Sequence, residues 1–332
     1  MLKLNNPGRR VAGIGSALVD ILVRATDPFL EEIGAVKGGM IYADADRIDQ
    51  AADAAGNPVR VVPGGAACNT VVGVAGLGGA ARFVGKAGNG RMGMLFTDHL
   101  RNSGVEPVLS RSDSPTGRVL SVVTPDAQRS MLTSLGASAE MAPEEVSAAC
   151  FVGAAVVHVE GYLLFKPDLM RAALSAARAA GARISLDLAS FTVVESSRPL
   201  LEELVDAGVD ILIGNADEAR AFTGRDDPEA ALALMAERVP VAVVKLGAAG
   251  SRISWNGRVL RVDPASGSAP VVDTTGAGDL WAAGFLYGLI HELPPEQCGI
   301  LGSLCGYEVC QVMGAEIPAE GYARIRVAAG VN

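Results

Sequence analysis

The chain has 332 residues, of which 49% are hydrophobic and 20% charged. That composition is ordinary for a globular protein with a substantial core and excludes disorder or coiled coil as a description of the whole. At about 150 residues per domain, the length fits two domains or one large α/β domain with an elaboration. Lys plus Arg number 28 against 37 Asp plus Glu, a net charge of −9, so the chain lacks the basic footprint that neutralises nucleic-acid phosphates.

Apolar runs alternate with Ala-rich amphipathic stretches. Val11–Ile14 reads as a buried strand, and Leu18–Val23 and Gly39–Ala43 as short strands with little helix between them. Ala80–Val84 is the next buried strand, followed by a turn into a helix over Gly93–Ser103. Val119–Thr124 and Arg129–Thr133 are joined by the turn residues Pro125–Asp126. Ala154–Val159, Arg183–Leu188, Ile211–Ile213 and Val241–Leu246 are further strands, separated by helices over Pro167–Ala180, Arg198–Ala207 and Asp227–Arg238. Pro167 suits a first helical turn and Gly181 the position just past a helix end. Such alternation predicts a mostly parallel sheet covered on both faces. Two strand-rich stretches, about 18–43 and 105–134, break the rhythm. They read as insertions that build a small accessory sheet, or lid, on a single domain spanning 1–332. An exposed edge of that sheet is where two subunits could pair as a homodimer.

Mean hydropathy is +0.30, yet no apolar run approaches the roughly 20 residues of a membrane span. Phe151–Phe165 carries His158 and Glu160, and the first apolar run meets Asp20. With no targeting signal legible, the expectation is a cytoplasmic protein without a membrane partner. The five cysteines are scattered and form no CxxC, the pattern of reduced core thiols. The three histidines form no HExxH.

Glycine is the informative excess: 40 of 332 residues, about 12% against a usual ~7%. Gly13-Ile-Gly15-Ser-Ala-Leu18 opens like a dinucleotide fingerprint but has Leu18 in place of the third glycine. Gly88-Asn-Gly90-Arg-Met-Gly93 is a formal GxGxxG with no strand downstream ending in an acidic residue, and reads as a turn into a helix. Around Gly79–Ala87 a P-loop fails by spacing, and Ala87 cannot ligate Mg²⁺. Asp273-Thr-Thr-Gly276-Ala277-Gly278-Asp279 differs, because it feeds directly into the apolar helix Leu280–Phe285. Small residues there leave backbone N–H groups uncovered at a helix start, where the macrodipole favours an anion. Thr and Asp at such a place ordinarily just cap. A carboxylate beside an anion hole is harder to read as a cap, since it repels the anion unless it contacts a proton being lost.

These residues resemble the C-terminal signature of the ribokinase/PfkB carbohydrate kinases. Gly64-Gly65-Ala-Ala-Cys-Asn69-Thr70 with Gly76–Gly79 is similar to their N-terminal glycine signature. Asn215-Ala-Asp-Glu218 matches their NxxE motif, and Lys245-Leu-Gly247-Ala-Ala-Gly250 the strand and turn before the catalytic segment. The four matches come in the family's order over essentially the whole chain. The resemblance implies a ribokinase-like three-layer α/β sandwich with a small β-sheet lid, transferring the γ-phosphoryl of Mg·ATP to a hydroxymethyl group. It implies Asp279 as catalytic base, with the amides of Gly276, Ala277 and Gly278 as the anion hole. A carboxylate of pKa ~4 is a weak base for an alcohol, but suffices in a loose transition state where positioning dominates. By the same resemblance Asn215 and Glu218 organise Mg²⁺ through water, and Lys245, Gly247, Gly250 and Thr275 contact the nucleotide. Asp20, Gly64, Gly65, Asn69, Glu160 and Arg129 face the acceptor or the incoming phosphates. Asp273 marks where many members hold a monovalent cation such as K⁺, and Val262–Val272 with Gly302–Cys310 where the nucleotide base lies. Read alone, Asn215–Glu218 is an ordinary helix cap.

Gly15–Ile21, Asp27–Glu32, Pro63–Ala66 and Asp187–Phe191 are similar to adenosine kinases more than to ribokinases, which implies a nucleoside acceptor. Tyr162, Phe165, Phe29 and Phe191 are candidates for the aromatic plane a purine needs, or simply core. Leu163 stands where adenosine kinases tend to have a second aromatic, and Glu160 is of the kind sugar-binding members use, so a free furanose or ketose is the alternative acceptor. A non-catalytic sensor has no need of Asp279, and a dehydrogenase is disfavoured by the broken fingerprint.

Overall fold

In the computed structural model, which describes residues 4, 8–56, 60–126, 128–267 and 269–331, the apolar runs form two sheets. The side chains of Met40 and Arg129 also lie outside the described set. In chain order the strands are β1 (Arg10–Ile14), β2 (Leu18–Arg24), β3 (Met40–Tyr42), β4 (Arg60–Gly64), β5 (Ala80–Gly88), β6 (Val105–Ser112), β7 (Thr116–Val123), β8 (Arg129–Gly136), β9 (Val156–Glu160), β10 (Arg183–Asp187), β11 (Ile211–Asn215), β12 (Val241–Lys245), β13 (Ser251–Trp255) and β14 (Arg258–Val262). The large sheet runs β14-β13-β12-β11-β10-β9-β1-β5-β6. It is parallel from β12 to β6, and antiparallel at β12–β13 and β13–β14.

Alternate residues of each strand face opposite layers, the period-2 rule of a sheet covered on both sides. Val11, Val156, Ile211 and Val243 pack in one core with the helices Ala66–Gly76, Ala277–Ile290 and Pro295–Val309. Ala12, Val157, Leu212 and Val244 pack in the other, with the helices Pro167–Ala179, Arg198–Asp206 and Pro228–Ala236. The helix Ala277–Ile290 is buried along nearly its whole length, so it is apolar on every side, as its sequence reads. Among the described residues no helix is long and apolar enough to cross a membrane.

The small sheet has the order β3-β8-β7-β2-β4. One face buries Ile21, Val23, Leu120, Val122 and Leu132 against Leu30 and Ile48 from the helices Asp27–Glu32 and Ala45–Ala54. Its make-up differs from insertions at 18–43 and 105–134 in two places. β6, inside the second stretch, pairs with β5 and is the outer strand of the large sheet. β4, outside both stretches, pairs with β2. Each is an edge strand with a proline, Pro107 in β6 and Pro63 in β4, a residue tolerated where no neighbour needs its N–H. Such strands carry weak apolar patterns and are hard to assign to a sheet from sequence.

The β13–β14 hairpin lies between Lys245–Gly250 and Val262–Val272, in a stretch to which the sequence reading assigns no element. Its turn is Asn256-Gly257, both at positive φ (+49° and +82°), the conformation a two-residue hairpin turn demands. The formal GxGxxG at Gly88–Gly93 is a turn into the helix Arg91–Asn102, where a side chain at Gly93 would collide with the Gly88 carbonyl.

Candidate active site

In a doubly wound sheet, ligands bind beyond the carboxyl ends of the strands, at the point where strand order reverses. Here the chain proceeds outward from β1 to β5 and β6, then returns to β9 on the other side of β1. The reversal falls between β1 and β9. Around it, four adjacent parallel strands each end on a polar residue: Glu160 on β9, Asp187 on β10, Asn215 on β11 and Lys245 on β12.

Facing these ends is the start of the helix Ala277–Ile290. Gly276 caps it at φ +73°, a left-handed conformation that favours glycine, and a side chain there would collide with Ala315. The N–H of Ala277 donates to the Thr274 carbonyl at 3.2 Å, while those of Gly276, Gly278 and Asp279 meet no backbone acceptor among the described residues. These amides are left uncovered at the helix start, where the helix dipole favours negative charge. Ahead of the helix, Asp273 accepts from the N–H (2.9 Å) and hydroxyl (2.7 Å) of Thr275 and from the N–H of Gly314 (2.9 Å). The observed work of Asp273, the expected cation contact, is to tie this turn to the 313–316 segment.

Asp279 lies in the first turn. Asn69 Nδ2 donates to its Oδ2 at 2.9 Å, and Thr70 Oγ1 to its backbone carbonyl at 3.1 Å. Burial pushes its carboxyl up to about 7, against the Asn69 hydrogen bond; Asp187 adds to the rise and Lys245 opposes it. A carboxyl poised near neutrality in a cleft is what proton-transfer sites display.

Lys245 is the cation of the cluster. Its Nζ pairs with Asp187 Oδ2 at 3.0 Å, with both side chains nearly enclosed, and comes 3.1 Å from where a side chain on Gly278 would begin. Burial alone would lower its pKa, but Asp187 and Glu218 outweigh this and hold it above the ordinary lysine value. Asp187 also accepts from the N–H of Ala189 at 2.8 Å, and Ala189 sits at φ +64°, a strained conformation for a residue with a Cβ. Asp187 is the residue that fixes Lys245, and the sequence offers it only within the likeness of Asp187–Phe191 to adenosine kinases. An acidic residue closing an apolar strand was visible, but not that its strand lies one strand away from that of Lys245.

Glu218 and Asn215 form a reciprocal capping box on the helix Ala216–Thr223. Asn215 N and Nδ2 donate to the carboxylate at 2.8 and 2.7 Å, and Glu218 N donates back to Asn215 Oδ1 at 2.9 Å. The ordinary cap reading therefore holds. Burial, with Asp187 nearby, still raises the Glu218 carboxyl to about 7. Among the described residues no group of three His, Cys, Asp or Glu is placed to hold a metal.

Glu160 accepts from the N–H groups of Ser16 (2.8 Å) and Ala67 (3.3 Å) and is 1% exposed. It ties the segment that follows β1 to the start of the helix Ala66–Gly76; it does not present a carboxylate to open space, as the acceptor reading expected. Asp20 lies on β2 beside Gly64, where an added side chain would begin 2.5 Å from its Oδ2. Gly65, at φ +102°, caps the helix that carries Asn69. Gly247 and Gly250 shape the turn between β12 and β13, both at positive φ. Arg129 begins β8, with its side chain outside the described residues. Asp20, Gly64, Asn69, Lys245 and Gly276–Asp279 are therefore brought together by a series of close contacts, while Gly250 serves a turn.

Residues 32–320 match the model of the pfkB family carbohydrate kinases. The chain belongs to this family. It is 38% identical to the solved adenosine kinase of Sinorhizobium meliloti, with a TM-score of 0.87 over 96% of this chain and 99% of that one. A probable sugar kinase from Rhizobium etli CFN 42 is 35% identical, with a TM-score of 0.88 over 98% and 99%. Probable fructokinase-7 of Arabidopsis thaliana is 31% identical over 254 residues, 70% of this chain and 72% of that protein. The protein is thus a pfkB-type kinase with the ribokinase-like α/β fold, and the family phosphorylates with ATP.

The raised carboxyls of this pfkB kinase have a consequence for stability. Between about pH 4 and 7 the folded, ligand-free protein keeps protons on Asp279 and Glu218 that an unfolded chain has released. Their contribution is present at low pH and is lost as pH rises through the folded values. Urea midpoints measured against pH should therefore fall less steeply over this window in Asp279→Asn than in the parent. Parallel curves would show that Asp279 titrates as an ordinary carboxylate.

Proposed function

We propose that this kinase transfers the γ-phosphoryl group of Mg·ATP to the hydroxymethyl of a nucleoside of the adenosine type. The observation that carries the reading is Asp279, set one turn into a helix whose first amides form an anion hole and oriented by Asn69. Asp279 takes the hydroxyl proton as the acceptor oxygen bonds to phosphorus and the bond to ADP breaks. The amides around Gly276–Gly278 hold the equatorial oxygens while charge redistributes. Lys245, fixed by Asp187, places a positive charge beside them. Asp20 accepts two hydrogen bonds from a vicinal diol, and the small sheet that carries it serves as the lid.

Mg²⁺ fits on chemical grounds. It keeps several waters and is held largely by substrate phosphates, with one or two carboxylates. Glu218, its oxygens already engaged by Asn215, would meet the ion's waters and not the ion. When bound, Mg²⁺ supplies charge neutralisation on the triphosphate.

The nucleoside reading is supported by Tyr162. The residue is 39% exposed, and burial, with the charges of Glu160 and Asp279 next, pushes its hydroxyl up to about 12. A flat aromatic there suits a purine. The likeness to Sinorhizobium meliloti adenosine kinase points the same way, whereas the fructokinase relative favours a free furanose or ketose as the second reading.

A coupled ADP-release assay with adenosine, ribose and fructose separates the two. Adenosine should give a kcat/KM higher than either sugar by about tenfold or more; a preference for fructose or ribose would transfer the assignment to the sugar. Asp20→Ala should raise KM for the acceptor well above any change in KM for ATP. Equal effects on both would remove Asp20 from the diol.

A further inference from the structure

The edge strand of the small sheet makes a contact that neither sheet requires. β4 pairs with β2 so that Val62 lies opposite Asp20, and Arg60 opposite Leu22. The Arg60 guanidinium leaves the sheet. Its Nη1 donates to the Met313 carbonyl at 2.9 Å, and its Nη2 pairs with Glu316. These partners lie 253 and 256 residues away in the chain.

The segment it reaches is the one packed on the anion-binding turn. Gly314 N donates to Asp273 Oδ2 at 2.9 Å, the same carboxylate that holds Thr275. Ala315 lies against Gly276, where a side chain would collide with it. An unbroken series of direct contacts thus runs from Asp20 on β2, through β4 and Arg60, to 313–316 and then to the turn that starts the Asp279 helix.

Stability does not account for this pair. The Arg60 and Glu316 side chains are 35% and 40% exposed, and ion pairs at such exposure contribute about 0–1 kcal/mol. His99, a titratable group facing both, is held below the ordinary histidine value by its burial, with Glu316 opposing this and Arg60 adding to it.

We propose that Arg60 is a positioning residue that couples the seating of the small sheet on the acceptor to the geometry of the phosphate-binding turn. This rests on the reading of the cleft as a phosphoryl-transfer site. Acceptor bound at Asp20 draws β2 and β4 into place, Arg60 sets 313–316, and the amides beside Gly276 meet the phosphate in their productive arrangement. The two substrates then strengthen each other's binding, and by linkage the effect is reciprocal.

The test is the ratio of the AMP-PNP dissociation constants, with Mg²⁺, measured by calorimetry without and with saturating adenosine. The parent should show a ratio of about ten, within the usual range for coupled sites. Arg60→Met and Glu316→Gln should each bring it to about two or below, with AMP-PNP affinity in the absence of adenosine changed by no more than about twofold. The double variant should lose no more than either single one, because the two act as one unit. A parent ratio of one, or an unchanged ratio in Arg60→Met, overturns the proposal. Should adenosine not bind, the acceptor assignment fails, and Arg60 is read by hydrogen exchange on the ligand-free proteins. Faster exchange over residues 273–280 in both variants supports the coupling, and unchanged exchange overturns it.

Discussion

A carboxylate and a phosphate repel each other, and the phosphoryl transfer proposed for this site requires them side by side. Asp279 follows immediately on the glycine-rich helix start that is proposed to hold the anion. Three features make the arrangement tolerable. Burial raises its carboxyl to about 7 and so favours the protonated form. Asn69 fixes the carboxylate by one hydrogen bond. Lys245 supplies positive charge from the sheet, and is itself held by Asp187. Without the lysine, Asp187, Glu218 and Asp279 would be left with only neutral hydrogen-bond donors such as Asn69 and Asn215 to offset them.

The fold makes this possible by ending adjacent parallel strands at one edge. Glu160, Asp187, Asn215 and Lys245 are far apart in the chain and become neighbours only because β9, β10, β11 and β12 are laid in sequence across the sheet. Their roles then divide by what they touch. Glu160 and Asn215 are spent on backbone amides and a helix cap and hold the scaffold. Asp187 and Lys245 hold charge. Such division keeps the charged groups at fixed distances on rigid elements, which favours electrostatic preorganisation over rearrangement during the reaction.

Much of this was legible in the residues, for physical reasons. Buried parallel strands are continuous apolar runs, so β1, β5, β9, β10, β11 and β12 could be read directly. The turn at Gly276–Asp279 stood out because small residues feeding an apolar helix leave its first amides uncovered, with a carboxylate set among them. Edge strands were not legible: β4 and β6 carry prolines and mixed polarity because no strand pairs along one of their edges. The β13–β14 hairpin did carry a signal, Asn256-Gly257 between two alternating runs. Pairings between distant charges were beyond the sequence altogether. Asp187 with Lys245, and Arg60 with Glu316, depend on which strands and loops become neighbours, and Glu160 looked like a ligand group until its two backbone donors were located.

The central claim is that Asp279 acts on the acceptor hydroxyl and not merely on the helix start. The measurement that tests it most directly is the turnover number of Asp279→Asn, with nucleotide affinity measured on the same preparation. Asn keeps the size of the side chain and a hydrogen-bonding partner for Asn69, but cannot take the proton. The account predicts a fall in kcat of about 10²–10⁴-fold, the usual range for a positioned base, with ATP affinity essentially retained. Turnover near that of the parent would contradict it.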